Sequence, residues 1–172
     1  MSLELRQKYF GTSKKWVCLL GSAPSSLPLA PFGNPDWLKV GCSPGVWGYM
    51  APKSLTADVW VELHRVEIGQ PWFSVDYANF LRAFSGPVWM AEERADFPKS
   101  LALPLGDLVH KYSPYFFSSS IAYMLAMAIE AGFEKIMLAG VDMAAATEWK
   151  DQRLGCQFFA LLAKARGIEV GV

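Results

Sequence analysis

Between Asp58 and Arg65 a carboxylate and an imidazole, Glu62 and His64, stand two residues apart. In an extended strand, side chains alternate across the backbone, so Asp58, Trp60, Glu62 and His64 share one face while Val59, Val61 and Leu63 share the other. A carboxylate so placed orients the imidazole and stabilises it once it has taken a proton, which is the work of a general base. Glu62 and His64 are therefore the candidate catalytic pair. The same spacing also suits a polar cluster packed against a neighbouring strand or subunit. A metal would need at least one further ligand, which the spacing does not supply, so no metal site is expected.

A second kind of chemistry is carried by small and hydroxyl-bearing residues. Gly21-Ser22-Ala23-Pro24-Ser25-Ser26 follows an apolar run, and Gly21, Ala23 and Ser26 hold the three glycine places of a G-x-G-x-x-G turn. All are small enough for a phosphate or sugar to approach the backbone. Pro24 interrupts direct entry into a helix, and the acid that would bind a ribose diol about twenty residues on is replaced by Gly41-Cys42-Ser43. NAD or FAD is thus not expected, and the turn is either a ligand loop or a tight turn after a core strand. Farther along, Ser118, Ser119 and Ser120 can cap a helix through their hydroxyls. Gly140 allows a sharp turn after a strand, and Asp142 falls just beyond that strand's carboxyl end, where open α/β sheets bind ligands.

The elements that position these residues follow from the apolar pattern. Ile121 to Ile129 is uncharged on every face, as in a helix buried within a layered core, and at nine residues it is too short to span a bilayer. Gly132 suits the left-handed position that closes a helix. Short apolar runs predict strands at Trp16–Leu20, Trp37–Cys42, Asp58–Leu63, Pro87–Ala91, Ile136–Ala139 and Ile168–Val172. Helices are expected near Val75–Phe84, Ser120–Ala131 and Glu148–Arg166. Pro44 to Lys53 reads as a loop over the sheet edge, and His110-Lys111-Tyr112 as an exposed turn or a lid. The alternation predicts one α/β domain over residues 1–172, with a mostly parallel sheet and helices on both faces. Because the last strand runs to the final residues, a short further C-terminal element is expected.

Composition narrows the function classes. The chain of 172 residues is 52% hydrophobic and 14% aromatic, which excludes disorder and predicts apolar surface covered by another subunit, hence a homo-oligomer. Sixteen basic residues balance sixteen acidic ones, with a small basic cluster only at Arg6, Lys8, Lys14 and Lys15, so nucleic acid is not expected as a partner. Cys18, Cys42 and Cys156 are widely spaced and odd in number, as reduced thiols are. Met1 to Phe10 carries charges and has no apolar signal-peptide region, so a cytoplasmic location is expected. Glu148, Gln152 and Arg153 share one region of a helix and suit either a phosphate contact or surface pairing. Trp47, Trp60, Trp72 and Trp89 suit base stacking, the core or a subunit contact.

Two segments carry a resemblance. Gly21 to Ser25, and Ser119 through Tyr123-Met124, Gly132-Phe133 and Gly140-Val141-Asp142, resemble the bacterial sialyltransferases that use a CMP-sugar donor. The layout is also similar to the Rossmann-like group containing archaeal hydroxymethylpterin diphosphokinases and motility-associated glycosyltransferases. Taken whole, the chain resembles small proteins of phages and prophages, through Glu62-Leu63-His64-Arg65, Gly140-Val141-Asp142-Met143 and Gln152-Arg153. The resemblance implies a Rossmann-like nucleotide-binding domain whose ligand is CMP or a CMP-sugar, used in glycan modification. It implies nucleotide contacts at Gly21, Ser22, Ser25 and Ser119 or Ser120; with the residue readings above, the expected ligand-binding residues are Gly21, Ser22, Ala23, Pro24, Ser25, Ser43, Ser119, Ser120, Gly140 and Asp142. The asparagine that follows the second strand in that family is Ser43 here, and the family's catalytic histidine after the G-(I/V)-D motif has no counterpart, since no histidine follows Asp142. The alternatives implied are a non-catalytic phage accessory or assembly protein that retains the fold, and a nucleoside- or pterin-modifying enzyme on the same scaffold.

Overall fold

The computed structural model describes residues 2–142 and 148–172. Seven strands form one sheet: β1 (Trp16–Leu20), β2 (Trp37–Cys42), β3 (Val59–Glu62), β4 (Val88–Met90), β5 (Ser100–Ala102), β6 (Lys135–Ala139) and β7 (Glu169–Gly171). Their order is β5-β4-β3-β2-β1-β6-β7, and every pairing is parallel. The fold is thus Rossmann-like α/β with a sheet more uniformly parallel than the alternation required. The inner strands are covered on both faces, which is why they read as continuous apolar runs rather than alternating ones.

Six helices cover the sheet: α1 (Ser2–Phe10), α2 (Ser43–Met50), α3 (Val75–Ala83), α4 (Leu105–Tyr112), α5 (Ser120–Glu130) and α6 (Glu148–Ala165). Trp47 of α2 packs on Tyr77 and Phe80 of α3, and these rings cover Trp60 of β3. On the opposite face α5 lies across β1, β2 and β3 and is flanked by α1, α4 and α6. Being enclosed by sheet on one side and helices on the others, α5 has no use for charge, so Ile121 to Ile129 is buried except at Tyr123.

The structure corrects two expectations. The segment expected as a loop, Pro44 to Lys53, is mostly α2. Pro44 sits in the first helical turn, where its missing N–H removes no hydrogen bond, so the proline that suggested a loop begins a helix instead. His110-Lys111-Tyr112 is the last turn of α4 rather than a loop turn or lid, with His110 and Lys111 exposed as expected. Tyr112 is buried edge-on against Phe159. Two elements lack a strong local signal, the three-residue β5 and the N-terminal α1. Tertiary contacts hold α1: the Arg6 guanidinium donates to the Gly132 carbonyl at 2.8 Å, and Phe10 packs on Phe133.

Strand order changes direction between β1 and β6, from which the chain winds outward both ways. Such a switch point opens a crevice beyond the strands' carboxyl ends. Gly21 and Gly140 stand there, one after each strand.

Candidate active-site cleft

The crevice is a cleft of about 420 Å³ over the carboxyl ends of β1, β2, β3 and β6. Gly21, Ser22 and Ala23 line it from β1, Cys42 and Ser43 from β2, and Leu63 and His64 from β3. Ser118, Ser119, Ser120 and Ile121 come from the start of α5, Gly140, Val141 and Asp142 from β6, and Gln152 from α6. The floor depends on two glycines. Gly21 N donates to the Ala139 carbonyl at 2.8 Å and Ala23 N to the Gly140 carbonyl at 2.9 Å. A Cβ on Gly21 would lie 2.3 Å from the Gly140 oxygen, and one on Gly140 would lie 2.2 Å from the Gly21 oxygen. Neither position admits a side chain unless the two strand ends separate.

His64 enters the cleft from the end of β3, with its carboxylate partner behind it. Glu62 Oε1 accepts from His64 N and pairs with His64 Nδ1, each at 2.7 Å. Oε2 accepts from the Tyr77 hydroxyl, whose oxygen accepts from Trp60 Nε1 at 2.8 Å. The Glu62 side chain is fully buried while that of His64 is 46% exposed, so the carboxylate belongs to the core and the imidazole to the cleft. Burial, reinforced by the neighbouring Glu62 charge and its hydrogen bond, pushes the Tyr77 phenol well above its ordinary pKa. Tyr77 therefore keeps its proton and donates it. A carboxylate only accepts, so the Glu62 contact makes Nδ1 the donor, and in a neutral ring that tautomer carries its lone pair on Nε2. That tautomer is the one a general base uses.

Two helix N-termini meet the cleft. At α5 the Ser119 hydroxyl caps by accepting from Ala122 N at 3.2 Å, as its position before the apolar run predicts. At α2 no side chain caps the first turn, and Ser43 adopts φ +66°, a left-handed conformation that non-glycine residues rarely hold. Gly45, in the same turn, lies so close to Ser22 that an added Cβ would be 3.0 Å from the serine Cβ. Aligned peptide dipoles and unpaired N–H groups at two helix starts favour a bound anion.

Asp142 has a more specific place than its position after β6 suggests. Its carboxylate accepts from the Ser25 hydroxyl and, at 2.7 Å, from the Ser26 hydroxyl, which in turn accepts from Gly140 N at 3.0 Å. Ser25 thus faces Asp142 and, like Pro24, is not among the residues that line the cleft. Ser25 and Ser26 tie the first turn to the last. Cys42, at the base of the cleft, donates to the Leu20 carbonyl at 3.3 Å, and burial pushes its thiol up to about 12. Such a thiol is a packing group rather than a nucleophile.

The expected site residues Gly21, Ser22, Ala23, Ser43, His64, Ser119, Ser120, Gly140 and Asp142 therefore line one cleft, with Glu62 directly behind His64. Sequence reasoning missed Tyr77, fifteen residues from Glu62 and on another element, and no local signal joins the two. It also missed the tie through Ser26. Ser118 could have been found, since its hydroxyl belongs to the serine run; it donates to the Gln152 carbonyl at 3.4 Å. The side chain of Glu148 and the residue Met143 lie outside the described residues. Asp58 serves the opposite end of the sheet, accepting from Lys39 N at 2.7 Å. Trp60 and Trp89 are core residues, Trp47 is half-buried and Trp72 is largely exposed.

No protein-family model matches the chain, and no curated protein matches it. Among solved structures, the chain is similar to the sialyltransferase CstII from Campylobacter jejuni, determined in complex with a substrate analogue, cytidine-5'-monophosphate. The likeness covers 91% of this chain and 78% of that one, with a TM-score of 0.47 and 14% identity. So distant a likeness assigns no chemistry, which has to come from the cleft itself. Among the described residues, no cluster of His, Cys, Asp or Glu could hold a metal ion, and no helix is long and apolar enough to cross a membrane.

Proposed function

We propose that the protein is a nucleotide-dependent transferase that binds a CMP-sugar in the switch-point cleft and transfers the sugar to an acceptor hydroxyl. The observation that carries this reading is the chain Trp60–Tyr77–Glu62–His64, which holds an oriented imidazole at a cleft faced by two helix N-termini. In this reading the nucleotide phosphate lies at the starts of α2 and α5, near Ser43, Ser119 and Ser120. Gly21, Ser22, Ala23 and Gly140 allow the donor close to the backbone, and Asp142 accepts from its hydroxyls. His64 Nε2 takes the proton of the acceptor hydroxyl as that oxygen bonds to the anomeric carbon. The anomeric bond to CMP breaks, its electron pair leaves on the phosphate, and the helix N-termini stabilise the charge. Glu62 stabilises the imidazolium that results. His64 thus supplies from β3 what the resembling family supplies from a histidine after the G-(I/V)-D motif.

The test is calorimetric titration of CMP, together with CMP release from CMP-sialic acid. CMP should bind wild type and His64→Ala alike, and turnover should fall by about 10²- to 10⁴-fold in the variant. An absence of CMP binding, or full turnover in His64→Ala, refutes the reading. Self-association belongs to the same proposal, because Ile68, Trp72 and Val75, close together before and at the start of α3, are all exposed apolar residues. A monomer by light scattering at high concentration would remove that part. If no nucleotide binds yet the protein assembles, the accessory role implied by the phage resemblance takes its place.

A further inference from the structure

A second cleft, of about 460 Å³, opens beside the first over the carboxyl ends of β3 and β4, and Leu63 and His64 line both. We infer that this second cleft is the acceptor subsite and that it takes a neutral, polyhydroxylated acceptor, a sugar, in preference to an anionic one. This rests on the transferase reading of the first cleft.

The location follows from the base. A base that takes the acceptor's proton must touch the acceptor, while the reacting carbon approaches to roughly 3–3.5 Å from the other side. His64 is the titratable side chain common to both clefts, with its Nδ1 committed to Glu62. A donor in the first cleft and an acceptor in the second would meet at this residue.

The acceptor class follows from the charges. Two arginines, Arg65 and Arg94, line the second cleft against two glutamates, Glu62 and Glu92. Both cations have carboxylate partners. Arg94 Nε and Nη2 donate to the two oxygens of Asp96 at 3.0 and 3.2 Å, Nη1 reaches Glu92 at 3.5 Å, and the guanidinium lies 5.9 Å from the centre of the Phe97 ring. Arg65 Nε pairs with Glu67 at 2.8 Å. Glu62, Glu67, Glu92 and Asp96 thus outnumber the two cations around the cleft, and an anionic acceptor would meet this excess of negative charge, most openly at Glu92, whose side chain is 76% exposed. Hydroxyls have the opposite fit, since each can accept from a guanidinium and donate to a carboxylate. Leu63, Val66 and Met90 add apolar surface for the C–H face of a sugar ring.

The experiment uses the full chain with CMP-sialic acid and matched pairs of methyl glycosides and methyl uronides, whose rings differ by a carboxylate. CMP release above the acceptor-free rate is the readout, and CMP affinity is measured in parallel. At least one neutral glycoside should stimulate release, with a KM at least about tenfold below that of its uronide. Glu92→Lys, at a side chain that is 76% exposed, should shift that ratio toward the uronide by about tenfold or more and leave CMP affinity unchanged. A wild-type preference for uronides, an unchanged ratio in Glu92→Lys, or CMP binding with no stimulation by any neutral glycoside overturns the acceptor inference alone. Failure of CMP to bind overturns the transferase reading and this inference with it.

Discussion

Replacing Tyr77 with phenylalanine deletes one oxygen from the core and should be felt at two places. The ring itself keeps its neighbours, since Phe73, Trp47 and Phe80 contact the aromatic face and edge rather than the hydroxyl. What is lost is the acceptor for Trp60 Nε1 and the donor to Glu62 Oε2. Trp60 is fully buried, so its indole N–H cannot turn to bulk water, and an orphaned buried donor costs about 1–3 kcal/mol. The bond to a buried carboxylate is charge-assisted and contributes about 1.5–3 kcal/mol. Together they give an expected loss of about 3–5 kcal/mol, a large part of the 5–15 kcal/mol typical of a domain. The assay is urea unfolding followed by tryptophan fluorescence, with Tyr77→Phe, Glu62→Gln and the double variant forming a cycle. The coupling energy between the two sites should be about 1–3 kcal/mol. A loss below about 0.5 kcal/mol in Tyr77→Phe, or additive single variants, would refute the claim that the phenol holds the carboxylate behind His64.

The other predictions concern the scaffold. Gly21→Ala should lower stability by about 1–3 kcal/mol in the same unfolding assay and weaken CMP binding, because the new methyl group meets the Gly140 carbonyl. Wild-type stability in that variant would show that the strand ends can separate freely. Glu130 ties α5 to α4 and the C-terminal end of α6 through Lys111, Tyr112 and Arg166. Burial pushes its carboxyl up, but the hydrogen bonds from Lys111, Tyr112 and Arg166 and the charge of Lys111 outweigh it and hold the pKa below the ordinary 4.5. A depressed folded-state pKa stabilises the protein above the unfolded value and is lost as pH falls through the folded one. Thermal melts should therefore place Glu130→Gln below wild type at neutral pH, with the gap closing below about pH 4.5; a gap independent of pH would contradict the assignment.

Much of the molecule was legible because the deciding interactions are local. Strands β1, β2 and β6 announce themselves as apolar runs, since a parallel strand covered on both faces has no polar side to show. Helix α5 is bounded by its own chemistry, the Ser119 hydroxyl at one end and Gly132 in the left-handed conformation at the other. The pairing of Glu62 with His64 follows from alternation along a single strand, although β3 itself ends at Glu62. Where local signals conflict the reading failed: the run from Pro44 reads as a loop, yet contacts with β2 and α3 hold α2 as a helix.

What the sequence alone determined is the type of most elements, the inner strands and helices α3, α5 and α6 among them, and the kind of group each carries, because propensity, capping and periodicity act within a few residues. Tertiary structure decided which groups meet. The reversal of strand order between β1 and β6 creates the crevice and presses Gly21 against Gly140, more than a hundred residues apart. It turned Ser25 from the cleft toward Asp142 and brought Tyr77 to Glu62. Such contacts depend on the path of the whole chain, and the free energy that selects one path comes from burying the entire core, to which no single segment holds the key.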